Sequence, residues 1–166
     1  FIRAPGTPLL PSHEERLALY RQHRLAHEPV SRILGRREFW SLDLEVTPAV
    51  LDPRPETELL VEVSLDSLRR AGLDRRPIMV LDLGTGSGAI LIALLSELPL
   101  AIGIGVDASV DAIAVARRNA LRHGLGERAS FVAGNWADAI AGPVDLIVSN
   151  PPYLTTAEID VVAAEV

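Results

Sequence analysis

Two stretches carry residue types that can do chemistry. The first is Asp82-Leu83-Gly84-Thr85-Gly86-Ser87-Gly88, directly after the apolar run Ile78-Met79-Val80-Leu81 and before an apolar segment of helical length that Pro99 ends. Glycines let a backbone turn tightly and approach a ligand with no Cβ in the way. Asp107 closes the next apolar run, 25 residues after Asp82. A carboxylate at that point can accept two hydrogen bonds from a ribose diol, as it does in dinucleotide sites. The spacing is Gly-x-Gly-x-Gly, with Ala89 where a pyrophosphate-binding turn has its last glycine, so a turn that cradles a pyrophosphate is open but not favoured. A turn that only packs helix on strand would not need the acidic strand end.

The second stretch is Asn150-Pro151-Pro152-Tyr153, after the apolar centre Leu146-Ile147-Val148. In an open parallel sheet the carboxyl ends of the strands face the ligand crevice, so this tetrapeptide belongs beside the glycine loop. Two prolines have no N–H and a fixed φ, which keeps the segment extended and its carbonyls without local partners. Asn150 adds a side-chain carbonyl. Two convergent acceptors suit a planar –NH2 group, and Tyr153 supplies a flat wall with a polar tip. An amide or aromatic amine nitrogen is a poor nucleophile because its lone pair is delocalised. Acceptors that grip its hydrogens can orient it for in-line attack. The plainer alternative is a Pro-Pro loop that only ends a strand.

Positioning these residues requires strand–helix alternation from Pro77 onward: strands at 78–81, 101–106, 130–132 and 145–149, with helices at 88–98 and 109–123, the second closed by Gly124. Short apolar strands with helical crossovers predict a parallel sheet covered on both faces. Upstream, Ser12 and Glu15 have capping-box spacing ahead of a helix that ends at His27-Glu28-Pro29. Such a helix must pack on something else to bury its apolar side chains. Trp40, Leu42, Leu44 and Val46 alternate with polar residues, the period of a half-buried strand, and residues 31–34 before Gly35 are expected as its hairpin partner. A helix over 56–71, with Leu59, Leu60, Val63 and Leu68 apolar, is expected to stop at Gly72.

Composition narrows the chemistry further. All 16 basic residues are Arg, and Cys is absent. Schiff-base lysine, P-loop lysine, thiol nucleophile, disulfide and zinc–thiolate chemistry are excluded. The 166 residues carry a net charge of −6, with +3 in residues 1–40 and −9 in the remainder. That balance argues against broad nucleic-acid binding, and the basic flank reads as a solvated helix surface. No apolar run reaches the roughly 18 residues of a membrane span, and no signal peptide is evident. His13, His23, His27 and His123 lack metal-ligand spacing and read as surface or structural; no metal is expected.

The glycine loop with its acidic strand end resembles the nucleoside-binding half of class I S-adenosylmethionine-dependent methyltransferases. Asn-Pro-Pro-Tyr in this place is similar to amino methyltransferases acting on adenine, cytosine or glutamine. Upstream, Glu28-Pro29-Val30-Ser31-Arg32-Ile33-Leu34-Gly35, Glu38-Phe39-Trp40-Ser41-Leu42 and Pro53-Arg54-Pro55-Glu56-Thr57-Glu58 resemble the HemK/PrmC family of release factor glutamine methyltransferases, as do Asn135-Trp136 and Ser149. The resemblance implies an α/β, Rossmann-like class I sheet preceded by a helical segment and a β-hairpin. It implies S-adenosyl-L-methionine as cofactor, held by Gly84, Thr85, Gly86, Ser87 and Gly88, with Asp107 on the ribose, Trp136 over the adenine, and Asn150 beside them. It implies Asn150, Pro151 and Tyr153 as catalytic residues, lining the substrate site with Pro152. The substrate would be the glutamine of the Gly-Gly-Gln loop of peptide chain release factors, in the cytoplasm, with no membrane and no stable nucleic-acid partner. Asn135 stands where the family more often has Asp.

The expected organisation is a remnant of an N-terminal helical domain over 1–29, a β-hairpin linker over 30–52, and the methyltransferase domain over 53–166. Three further strands belong to such a domain, so the chain reads as a fragment. Residues 54–58 either line the pocket mouth or simply start a helix whose dipole favours acids. Asp82 either meets the cofactor through water or ties down the loop. The rival functions are a nucleic-acid amino methyltransferase, an inactive partner-binding remnant and, more distantly, a nicotinamide dehydrogenase.

Overall fold

The computed structural model describes residues 10–138 and 140–151. Its centre is a four-stranded parallel sheet in the order β5-β4-β3-β6, with β3 Met79–Leu83, β4 Ile102–Asp107, β5 Ala129–Ala133 and β6 Leu146–Ser149. Placing β3 and β4 centrally brings the ends of β3, β4 and β6 to one edge of the sheet. The expected α/β sheet is therefore present, with all four strands close to their sequence-derived positions.

Two crossover helices differ in how their sequences bury them. α4, Ala89–Glu97, is apolar on every side, and its seven residues from Ala89 to Leu95 are all buried. A helix without a polar face has to lie inside the domain. α5, Val110–Arg122, buries one stripe containing Ala112, Ile113, Val115, Ala116 and Ala120. Ser109 caps it, its hydroxyl accepting from the Ala112 N–H at 3.2 Å. α3, Glu58–Arg70, packs through Val61, Ser64, Leu65 and Leu68. Leu59 and Val63, part of the apolar pattern in the sequence, are exposed.

The hairpin is real but sits in a different register from the one expected. Residues 31–34 are not a strand: Val30–Leu34 forms a short helix, α2, that Gly35 closes with φ 67°. Pro29 presets its start, and the backbone bonds are made within the turn, leaving no ladder to extend. The partner strands are β1 Arg36–Phe39 and β2 Leu42–Glu45, antiparallel, with Phe39 opposite Leu42. Trp40 therefore lies in the turn rather than in the strand. Trp40 and Ser41 both adopt positive φ, 53° and 58°, the demanding geometry of a two-residue hairpin turn. Tertiary bonds offset that strain: the Trp40 N–H donates to Glu58 Oε1 at 2.8 Å, and the indole N–H to Glu97 Oε1 at 2.9 Å. The period-two pattern still reports the right face, because Leu44 and Val46 are buried and Asp43 is exposed. Phe39 and Leu44 belong to the same apolar core as α4 and β3.

The first helix, α1 Pro11–Leu25, opens on Pro11 without any side-chain cap, so the Ser12–Glu15 capping box does not form. None of its residues is buried. No helix among the described residues is long and apolar enough to cross a membrane.

Candidate active site

After β3 the chain folds back over β4. The Gly84 and Thr85 N–H groups both donate to the Val106 carbonyl, at 2.8 and 2.9 Å. Asp107 then clamps the loop from the end of β4. Its Oδ2 accepts from the Gly86 N–H and its Oδ1 from the Ser109 N–H, each at 2.9 Å. One carboxylate thus fixes both the glycine loop and the entry to α5. Gly88 is needed for two reasons: its φ is 81°, and a Cβ there would stand 3.0 Å from Ile92 Cδ1 and 3.2 Å from Ala116 Cβ. Without it α4 and α5 could not meet at the loop.

Thr85 and Ser87 are buried, so what this loop offers a ligand at those positions is main chain. The Thr85 hydroxyl donates to Asp82 Oδ2 at 2.6 Å. Asp82 is fully buried, and its Oδ1 has no well-formed hydrogen bond among the described residues. Burial pushes its carboxyl up to about 6, with Asp107 adding repulsion and the Thr85 hydroxyl and Leu91 N–H opposing. Of the two roles open for Asp82, the geometry shows the tie to the loop.

The β6 end arrives beside this loop through sheet register. Ser149 pairs with Leu83, and its hydroxyl donates to the Leu83 carbonyl at 2.9 Å. Gly84 then faces Pro151, whose Cα lies 3.9 Å from where a Gly84 Cβ would be. Asn150 is half-buried, and its Nδ2 donates to the Thr57 hydroxyl oxygen at 3.1 Å. Thr57 ends the 3-10 turn Pro55–Thr57 that leads into α3. Residues 54–58 therefore start a helix, one of the two readings weighed for them, and Thr57 among them meets Asn150.

The structure brings together residues 84–88, Asp107, Asn150 and Pro151 from the expected set. Trp136 follows β5 with φ 50° and is 56% exposed; the Gly134 N–H two residues earlier donates to the Asp107 carbonyl, which keeps this segment at the same edge. Pro152 and Tyr153 lie outside the described residues. No cluster of His, Asp or Glu among the described residues has an arrangement that could hold a metal. A cavity of about 600 Å³, lined by Leu65, Arg69, Glu97 and Pro99 among others, lies near the amino end of β4 and contains none of these residues.

The sequence reading gave no individual role to two residues that bond within the site. Thr57 is one. The other is Asn119, 1% exposed on α5. Its Oδ1 accepts from the Glu45 N–H at 2.7 Å, while its Nδ2 donates to the Glu45 and Ser87 carbonyls at 3.0 and 2.9 Å. It joins the hairpin to the glycine loop. Arg118 beside it forks onto the Glu45 carboxylate, holding that carboxyl below its ordinary range. The available signal was a polar residue within the apolar stripe of an amphipathic helix, which such a helix keeps only when it has partners.

Residues 57–166 match the methyltransferase small domain family. The resemblance read from the sequence is met by the relatives. The chain is 48% identical over 158 residues to a release factor glutamine methyltransferase of Bradyrhizobium diazoefficiens, covering 95% of this chain and 53% of that protein. It is 49% identical over 170 residues to one from Rhodospirillum rubrum, covering 98% and 51%. The chain thus spans about half the length of the curated relatives it matches. Among solved structures, a ribosomal protein L11 methylase from Lactobacillus delbrueckii subsp. bulgaricus aligns with TM-score 0.50 and 27% identity, over 64% of this chain and 53% of that one. A SAM-dependent methyltransferase from Agrobacterium tumefaciens, at TM-score 0.55, 21% identity and 70% and 39% coverage, shares the fold.

Proposed function

The chain belongs to the methyltransferase small domain family, and on that premise we propose that it transfers a methyl group from S-adenosyl-L-methionine to the side-chain amide of the glutamine in the Gly-Gly-Gln motif of peptide chain release factors. The observation that carries this reading is the Leu83–Ser149 register, which sets Asn150-Pro151 against the glycine loop. The relatives named release factor glutamine methyltransferase support glutamine over a nucleobase as the acceptor. A release-factor substrate also supports a cytoplasmic location and argues for no stable nucleic-acid partner. In this reading 53–166 carry the cofactor and substrate sites, and 30–52 attach the hairpin to them.

The residues present fit the cofactor. Each Asp107 oxygen spends one acceptor site on a backbone N–H and retains capacity for a ribose hydroxyl. Gly84 and Gly86 present bare backbone beside it. Trp136, exposed at the same edge, is suited to cover a base. The bound cofactor would supply an electrophilic methyl group on a sulfonium. Asn150 and the Pro151 carbonyl would accept from the two amide hydrogens of the substrate glutamine and aim its nitrogen. This orientation matters more than prior deprotonation, since the amide proton becomes acidic only as the methyl arrives. Pro152 and Tyr153 would complete the wall.

The test is methylation with labelled cofactor of an intact release factor, the same factor with its Gly-Gly-Gln glutamine replaced, and DNA. Label on the intact factor alone, mapped to that glutamine, is the expected result. Label on DNA, or equal label on both factors, defeats the proposal.

A further inference from the structure

Threonine at the start of a helix ordinarily uses its hydroxyl to cap the first turn. Thr57 lies past that point: the extended residue ahead of the first turn is Arg54, φ −88° and ψ 145°, and Thr57, at the end of the 3-10 turn, is already helical, φ −70° and ψ −19°, so its side chain makes no capping bond. The oxygen is instead directed at a residue 93 positions away, accepting from Asn150 Nδ2. A carboxamide is a planar group with a donor at one end and an acceptor at the other. Engaging Nδ2 on the α3 side turns Oδ1 to the other side.

Thr57 is itself held firmly. Its N–H donates to the Arg54 carbonyl at 3.0 Å, and the neighbouring Glu58 carboxylate accepts from the strained Trp40 turn. On the other side, Ser149 anchors Asn150 to β3. The hairpin turn, the head of α3 and the end of β6 therefore converge on one hydroxyl–carboxamide contact.

We propose that Thr57 is a positioning residue of the methyl-transfer site, its hydroxyl holding the Asn150 carboxamide so that the side-chain carbonyl is presented to the substrate amide; this rests on the functional reading above. The reacting group thereby gains a fixed orientation.

Single-turnover methyl transfer to a release factor, in the full-length protein that carries this sequence, tests it. Thr57→Val keeps the shape and removes the acceptor. It should slow transfer about tenfold while cofactor affinity, by calorimetry, changes less than about threefold. Thr57→Ser should restore the rate. In an Asn150→Ala background Thr57→Val should cost less than about twofold, because the partner is already gone. A Thr57→Val rate equal to wild type, equal losses in Val and Ser, or fully additive losses with Asn150→Ala would each overturn the proposal. If Thr57→Val does not fold, Thr57→Ala takes its place in the same comparisons. If the wild type methylates no release factor, it is the functional reading that fails. The contact is then judged by the Asn150 side-chain NH2 resonances. Movement in Thr57→Val but not in Thr57→Ser keeps it, and any other pattern removes it.

Discussion

The two halves of the site are held by bonds of very different reach. In the glycine-loop half, Thr85 meets Asp82 three residues away, Ser109 meets Asp107 two away, and Gly86 meets Asp107 across 21. In the Asn150 half, the corresponding bonds span 93 residues to Thr57 and 66 to Leu83. The first half is one strand–loop–helix unit that can assemble almost locally. The second exists only once β6 has paired with β3 and the head of α3 has been placed. Loss in the first half should therefore appear as cofactor affinity, and loss in the second as rate.

The largest separation of these effects is expected from Asn150→Ala. Removing one preorganised contact to the reacting group should lower kcat by about 10²–10³, roughly 2.7–4 kcal/mol, with cofactor affinity changed less than about tenfold. Full activity in that variant would erase the distinction between the halves. Asp107→Ala is the converse case. Hydrogen bonds to a charged group contribute roughly 1.5–3 kcal/mol, so cofactor binding should weaken about 10- to 150-fold by calorimetry. The upper end is favoured because Asp107 also orders Gly86 and Ser109. Unchanged affinity in a folded variant would remove Asp107 from the ribose.

Asn119→Ala probes the joint between hairpin and loop. It strips partners from the Glu45 N–H and from the Glu45 and Ser87 carbonyls, which should cost roughly 1–3 kcal/mol of stability, read from the urea midpoint. Release of the hairpin by proteolysis at unchanged global stability would show instead that the two regions unfold separately.

Asp82 gives the smallest effect, and its sign is specific. The folded carboxyl is raised to about 6 against an ordinary 3.8. The folded state then keeps a proton that the unfolded chain has released, so its contribution is complete below about pH 4 and declines until about pH 6. Asp82→Asn is neutral throughout and keeps an oxygen for Thr85. The difference between wild-type and Asp82→Asn urea stabilities should shift by on the order of 1–2 kcal/mol in favour of Asn between those limits. Parallel curves would mean that Asp82 does not titrate there.

Much of the first half was legible in the chain. Gly84, Gly86 and Gly88 follow an apolar run, Asp107 ends the next one, and Ala89 to Leu95 have no polar face. Each feature is dictated by neighbours within a turn or a strand, so periodicity and spacing expose it. The sheet edge at Asn150 was legible too, because strands joined by helical crossovers must run parallel and place their carboxyl ends together. The hairpin shows where local pattern runs out. Alternation located its inward face, with Leu44 and Val46 buried, but not its turn. A Trp-Ser pair at positive φ has no local preference for that geometry. Among the described residues, Glu58 on α3 and Glu97 on α4 accept from Trp40 and help to hold it.

The amino-acid sequence by itself determined the class of fold, the place of the glycine loop, its acidic partner and the strand end that carries Asn150. Tertiary structure alone decided two further joints: the Thr57 hydroxyl meets the Asn150 carboxamide at that strand end, and Asn119 bridges the hairpin to the glycine loop. Both use hydrogen bonds between residues far apart in the chain. Such bonds leave no periodic trace, because their strength depends on the distance and angle at which packed elements deliver donor to acceptor.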